Sequence, residues 1–432
     1  MFSSGVRVGT TADITGVIRT APGTPTAPYS AQRRSRVDSV DLLRGLVMVI
    51  MMLDHTRDFV HTASYAFDPT DVSKTYPLLF FTRWITHFCA PVFVFLAGTG
   101  AYFQELRGKP KSELSRFLVT RGIWLIFLEL TVLRLVIVFN FDYGVMLSFL
   151  QVIWVFGWSM IVLAAVIHLP MRAIVILSIA MIALHNMLDG IRVTSWAGPG
   201  TPVPGFGASV WHLLHVPGLL FPFGYPGPGV FVLYPLIPWI GVMAAGYAFG
   251  TLYRLDERTR RKRLLTLGST VTIGFVVIRA INIYGDPARW SVQSTIGKTA
   301  LDFLAVSKYP PSLLYLMMTL GPAMLLLAWF EGREKGAIAR FFIVYGRVPL
   351  FFYVLQWITT HTLALIAGKI AGRPTDYLFG NLAFAPPPSP GSGFGLGVTY
   401  ALWILGVLLL YPLCKWYGDL KARRHDWWLS YT

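Results

Sequence analysis

Ten apolar runs, each long enough to cross about 30 Å of hydrocarbon, recur along the 432 residues of the chain. They lie near residues 40–60, 84–104, 117–139, 147–167, 172–188, 230–252, 264–283, 312–330, 341–369 and 397–414. Backbone placed in hydrocarbon must satisfy its own hydrogen bonds, so apolar segments of this length fold as helices. The pattern predicts an all-α, polytopic integral membrane protein of ten transmembrane helices. The fifth is short, and the ninth is long and carries Pro349, a residue that kinks helices. Composition agrees, with 54% hydrophobic and 13% charged residues, where soluble domains carry about 25% charged.

The net charge of +16 raises nucleic acid as a partner, and its distribution removes that reading. With the N-terminus inside, 23 Lys and Arg fall on inner segments and eight on outer loops. The basic run "RLDERTRRKR" (254–263) is one of the inner segments. This follows the positive-inside rule at every inner loop except the short connection between the fourth and fifth helices. The expected topology is N-in, C-in, multi-pass in the cell (inner or plasma) membrane. The expected organisation is a disordered basic tail (1–37), a transmembrane domain (38–416) and a cytoplasmic C-terminal tail (417–432).

Other features are mainly architectural. "QRRSRV" faintly resembles a twin-arginine signal, but the charges at 54–61 interrupt the apolar core that a signal peptide needs. The segment 189–229 is long, aromatic and almost uncharged, and reads as a packed outer cap. "PPPSPGSGFG" (386–395) reads as a linker. No internal repeat is visible, which weakens an inverted-repeat transporter. Two cysteines, Cys89 and Cys414, exclude a disulfide framework and match no zinc spacing. "WIGVMAAGYAFG" (239–250) has the small-residue spacing of close helix packing.

The stretch "MVIMMLDHTRDFVH" (48–61) is different. If its helix enters near Val40, Asp54 lies roughly 21 Å along it, within the outer third of the bilayer. Asp54, Arg57, Asp58 and His61 form one stripe at helical spacing, with His55 on its flank and Asp58 a neighbour of both histidines. Ionisable groups at such depth cost several kcal/mol unless they are paired or face a cavity, so the helix is expected to line a polar interior. A metal is not expected, because Arg57 disfavours a cation.

Other helices bring polar groups to the same side: His87 and Cys89 on the second, Glu129 and Arg134 on the third, Arg279 on the seventh, His361 on the ninth. Asp41, Arg44, Arg121 and Arg347 gather at the inner side. Each has a plainer reading. Arg44 and Arg121 suit snorkelling helix ends, Glu129 and Arg134 a structural ion pair, His87 and His361 satisfied polar side chains, and Cys89 a small buried thiol.

"SVDLLRGLVMVIMMLDH" resembles the opening of the membrane-embedded acyltransferases grouped with lysosomal heparan-α-glucosaminide N-acetyltransferase. Asp41, Arg44 and Gly45 match the Asp-x-x-Arg-Gly that leads the first core helix of that family. Similarity to its bacterial branch extends through "TRWITHFCAPVFVFLAGTG", "LYPLIPWIGVMAAGYAFG", "SKYPPSLLYLMMTLGP", "YGRVPLFFY" and "WWLSYT". The resemblance implies an acyl-CoA-dependent O- or N-acyltransferase that takes acyl, first of all acetyl, from cytosolic acyl-CoA to an acceptor on the far side. The acceptor could be an amino sugar or another glycan. Where the lysosomal enzyme has an asparagine, this chain has His55. The nearest candidate for that enzyme's functional histidine is His61.

On this reading His55 is the base or transient acyl carrier, since a neutral imidazole suits proton transfer near pH 7. Asp58 orients its other nitrogen, His61 is the substitute, and Asp54 and Arg57 hold the stripe or position substrate. Arg44, Arg121 and Arg347 are expected to meet the CoA phosphates, as arginine forks suit phosphate, with Glu129 and Arg134 as further binding candidates. Acyl-CoA is a co-substrate, and no permanently bound cofactor is expected. The expected partners are the lipid bilayer, acyl-CoA and the acceptor, with assembly into a homo-oligomer left open. The rival reading is a secondary transporter using the stripe as proton relay or substrate wall. A structural protein would instead have every charge of the stripe paired and no cavity reaching it.

Overall fold

The computed structural model describes Met1 and residues 37–431, apart from 65, 145, 381–388 and 425. Residues 2–36 of the expected tail and 386–388 of the expected linker lie outside the described residues. Every helix described belongs to one compact unit, Val37–Thr432.

The chain opens with α1 (Asp38–Val60), α2 (Pro77–Thr86), α3 (Cys89–Leu106) and α4 (Lys111–Leu128). A π-helical turn, Glu129–Leu133, leads into α5 (Arg134–Val138), followed by β1 (Met146–Leu150), α6 (Val152–Val166) and α7 (Met171–Leu184). Next come α8 (Phe206–Leu214), β2 (Gly218–Leu220), β3 (Gly229–Val232), α9 (Leu236–Phe249) and α10 (Glu257–Ile281). The last are α11 (Ile296–Leu304), α12 (Leu313–Phe330), α13 (Ala337–Arg347), α14 (Pro349–Ile370) and α15 (Leu396–Arg423).

A helix stands at each of the ten expected positions. Among the described residues, seven helical stretches are long and apolar enough to cross a membrane. The other three positions fall short for visible reasons. α1 contains six charged residues, α4 gives way to the π-helical turn, and α6 has 15 residues. The protein is mainly helical and of the membrane type.

Three local expectations are corrected. The segments 147–167 and 230–252 do not begin as helices. β1 pairs parallel with β3 and β3 antiparallel with β2, giving a small sheet in the order β1-β3-β2. Pro235 then precedes the first turn of α9, where its fixed φ and missing N–H are tolerated. The expected kinked ninth helix is two helices, α13 and α14, broken at Val348 (φ −131°, ψ 50°) with Pro349 opening the second. At the C-terminal end α15 runs on to Arg423, and the Tyr431 hydroxyl meets Thr120 Oγ1 at 2.8 Å.

Glycine sets the two tightest helix pairings. A Cβ on Gly246 of α9 would lie 1.9 Å from the Phe95 carbonyl oxygen, and one on Gly98 of α3 would lie 1.9 Å from that of Met243. The glycine-rich run 239–250 therefore acts in packing, as its spacing indicates. Gly45 of α1 and Gly346 of α13 approach equally closely, with Cβ positions 1.8 Å from Phe342 O and 1.9 Å from Asp41 O. Gly45→Ala should cost about 1–3 kcal/mol, the range for overpacking a filled interface, because the obstacle is backbone and cannot rotate away. Thermal unfolding in detergent measures it. An unchanged midpoint would mean that α13 shifts freely.

Candidate functional site

The C-terminal end of α1 carries a buried charge cluster built from three separate segments. Asp54 lies 3.0 Å from Arg57 Nη2 one turn above it. Its other oxygen accepts from Arg83 Nη1 of α2 at 2.5 Å and stands 3.7 Å from Lys308 Nζ. Lys308 comes from the loop between α11 and α12, and its ammonium sits 5.3 Å from the Tyr309 ring centroid. Arg57 Nη2 also bonds Asp58 at 2.5 Å. The Asp54, Arg57, Arg83 and Lys308 side chains are only 10, 5, 12 and 8% exposed, while Asp58 is 45% exposed. Three cations thus face two carboxylates, and Asp58 is the member that reaches open space.

That space is a cavity of about 310 Å³ lined by Arg57, Asp58, Ser64, Phe67, Asp68 and Arg83, among others. The loop after α1 forms its rim and is held by short polar turns. Ser64 Oγ donates to the carbonyls of Arg57 and His61, at 2.6 and 2.8 Å. Asp68 accepts from the Thr70 N–H and hydroxyl, both at 2.8 Å. Farther along, the Ser73 hydroxyl and N–H hold the Asp71 carboxyl below the usual carboxylate range.

His55 takes a different direction from the one its spacing implied. Its ring stacks on Trp357 of α14, with centroids 3.7 Å apart, and stands edge-on to Tyr353 at 6.2 Å. Its Nδ1 is buried without a hydrogen-bond partner among the described residues. Asp58, expected to orient this ring, bonds Arg57 instead; aromatic stacking holds the imidazole. His61 closes α1, and its Nδ1 accepts the Ala63 N–H at 3.2 Å. In the neutral ring the proton is therefore on Nε2.

The N-terminal end of α1 gathers Arg44, Arg121 and Arg347, expected to bind the donor. Arg44 pairs with Asp41 at 2.8 Å and reaches the Gly346 carbonyl at 3.2 Å, a contact that the Gly45–Gly346 approach makes possible. Arg347 lies 3.3 Å from Asp38, and Arg121 rests 5.8 Å from the Phe117 ring centroid, within electrostatic reach of Arg44. Between the two polar ends of α1, Val47, Met48, Met51 and Met52 are all buried. An apolar cleft of about 470 Å³ runs beside this stretch, lined by Leu43, Val47, Ile50, Phe88 and Pro322, among others.

Glu129, Arg134, Arg279 and Cys89 are engaged by the chain itself. Glu129 does not pair with Arg134. Its two oxygens accept the Gln151 and Trp154 N–H groups, at 3.1 and 3.2 Å, at the start of α6, where a carboxylate complements exposed N–H groups and the helix dipole. Arg134 bonds the Asn140 side chain at 2.9 Å and the Asp142 carbonyl at 2.5 Å. Arg279 donates to four backbone carbonyls, those of Ala288, Asp302, Phe303 and Ala305. His361 is stacked on Phe139 at 3.8 Å, His87 stands edge-on to Tyr315 at 5.5 Å, and Cys89 Sγ donates to the Val47 carbonyl at 3.3 Å.

Arg83 and Lys308 are the site residues that sequence reasoning missed, because both counted as outer-loop charges. The available signal was their place in "TRWITHFCAPVF" and "SKYPPS", two stretches of the quoted similarity.

Residues 36–280, more than half of the chain, match the family model described as heparan-alpha-glucosaminide N-acetyltransferase, catalytic. The matched span includes Asp54, His55, Arg57 and Arg83. No curated protein gives a significant match.

Proposed function

Because the chain belongs to the heparan-α-glucosaminide N-acetyltransferase catalytic family, we propose that it moves an acyl group, acetyl in the first instance, from acyl-CoA to an acceptor across the cell membrane. The donor binds from the cytosol and the acceptor, an amino sugar or other glycan, from outside, with ten spans and both termini inside. The observation that carries this reading is the outer end of α1. There an unpartnered imidazole nitrogen of His55 lies beside a charge cluster that opens to a cavity, on the helix that bears the family's opening motif.

In this reading neutral His55 takes the proton of the acceptor N–H or O–H as its lone pair attacks the thioester carbonyl. The C–S bond then breaks, CoA leaves as thiolate, and the imidazolium returns the proton to sulfur. His55 is favoured over His61 because Nδ1 of His61 already accepts a backbone N–H. Asp54, Arg57, Arg83 and Lys308 hold the outer site in shape. Arg44, Arg121 and Arg347 meet the CoA phosphates at the inner mouth. The thioester reaches His55 past Met48, Met51 and Met52, whose flexible side chains adapt to a passing group.

Purified protein given acetyl-CoA and glucosamine should release free CoA thiol well above a protein-free control. Release no faster than that control, over a range of amine and hydroxyl acceptors, would remove the reading.

A further inference from the structure

The cavity at the C-terminal end of α1 has donors beside it that no described residue uses. Arg57 gives Nη2 to both Asp54 and Asp58, yet its Nε and Nη1 are buried with no hydrogen-bond partner among the described residues. The side chain is only 5% exposed, and it lines the cavity together with Arg83. A buried guanidinium with unused N–H groups is costly, and the cost is recovered where a ligand accepts from them.

The charge around the cavity indicates what that ligand carries. Asp54 is flanked by Arg57, Arg83 and Lys308, and Asp58 is engaged by Arg57. Arg57, Arg83 and Lys308 against Asp54 and Asp58 therefore leave this cluster with one cation more than carboxylates. Asp68, the remaining acid in the wall, is exposed at the rim and accepts from Thr70. Ser64, the one hydroxyl among the described residues of the wall, donates to two carbonyls of its own turn. The wall thus offers the Arg57 and Arg83 side chains, with unused Arg57 N–H groups buried beside it and a surplus of positive charge in the cluster.

We propose that this cavity binds an oxyanion of the phosphate type, carried by the acceptor. Arginine is the side chain best matched to phosphate oxygens, and a desolvated site strengthens the pairing. That the oxyanion belongs to the acceptor rests on the acyl-transfer reading; that the cavity binds one does not. The same chemistry comes from a lipid headgroup or from a soluble phosphate ester.

Thermal stabilisation of the purified protein separates these cases without any turnover. In detergent, inorganic phosphate should stabilise the wild type saturably, against chloride at equal ionic strength. Arg57→Lys keeps the charge but loses the guanidinium donors, and should weaken the effect roughly tenfold. Asp58→Asn removes a competing carboxylate and should strengthen it several-fold. Stabilisation confined to nanodiscs of phosphatidylglycerol rather than phosphatidylcholine, with the same order of variants, assigns the oxyanion to a lipid. No shift with either probe, or a shift indifferent to both substitutions, overturns the proposal. A protein that binds phosphate in this way yet releases no CoA would retain the site and lose the acyl-transfer reading.

Discussion

Asp54→Ala should lower folded stability by about 3–5 kcal/mol, the range for removing one partner of a buried ion pair. Asp54 is the carboxylate shared by Arg57, Arg83 and Lys308, at 3.0, 2.5 and 3.7 Å. Without it three cations face one another in a buried setting, and only Asp58 remains to offset them. The loss should be partly repaired in Asp54→Ala/Lys308→Met, which removes one of the stranded charges. A double-mutant cycle on this pair isolates their coupling from general effects. If Asp54→Ala unfolds at the wild-type midpoint, the cluster is hydrated and its charges are not dependent on one another.

The second large effect is on activity. His55→Ala should reduce acyl transfer by about 10²–10⁴-fold, the usual worth of a positioned acid–base group. Alanine also removes the stack on Trp357, a contact worth about 0.5–1.5 kcal/mol, so part of any loss could come from a loosened α1–α14 contact. His55→Phe separates the two causes, because it keeps a ring against Trp357 and carries no basic nitrogen. Both variants should be inactive, with His55→Phe close to wild type in thermal midpoint. An active His55→Phe would show that the ring matters only for packing, and His61 would become the leading base.

Much of this architecture was legible because the bilayer is a demanding solvent. Apolar length alone located helices at ten positions, and charges inside an apolar run marked the C-terminal end of α1. What escaped had physical reasons. Met146–Leu150 and Gly229–Val232 form short apolar strands, and a short apolar run has no periodicity that separates strand from helix. Glu129 and Arg134 are five residues apart, a spacing that puts them on different helix faces, so proximity in sequence was a poor guide to pairing. The rotation of His55 toward Trp357 and the arrival of Lys308 beside Asp54 depend on tertiary packing between distant segments. Single-sequence spacing contains neither.

The central claim is that an acyl group crosses the membrane at the outer end of α1. Proteoliposomes with the cytosolic face of the protein toward the lumen, loaded with radiolabelled acetyl-CoA and bathed in glucosamine, test it most directly. The wild type should place the label on external glucosamine as CoA thiol accumulates inside, and His55→Phe should do neither. Intact acetyl-CoA in the lumen, with glucosamine itself moving across the bilayer, would contradict the claim and establish a transporter.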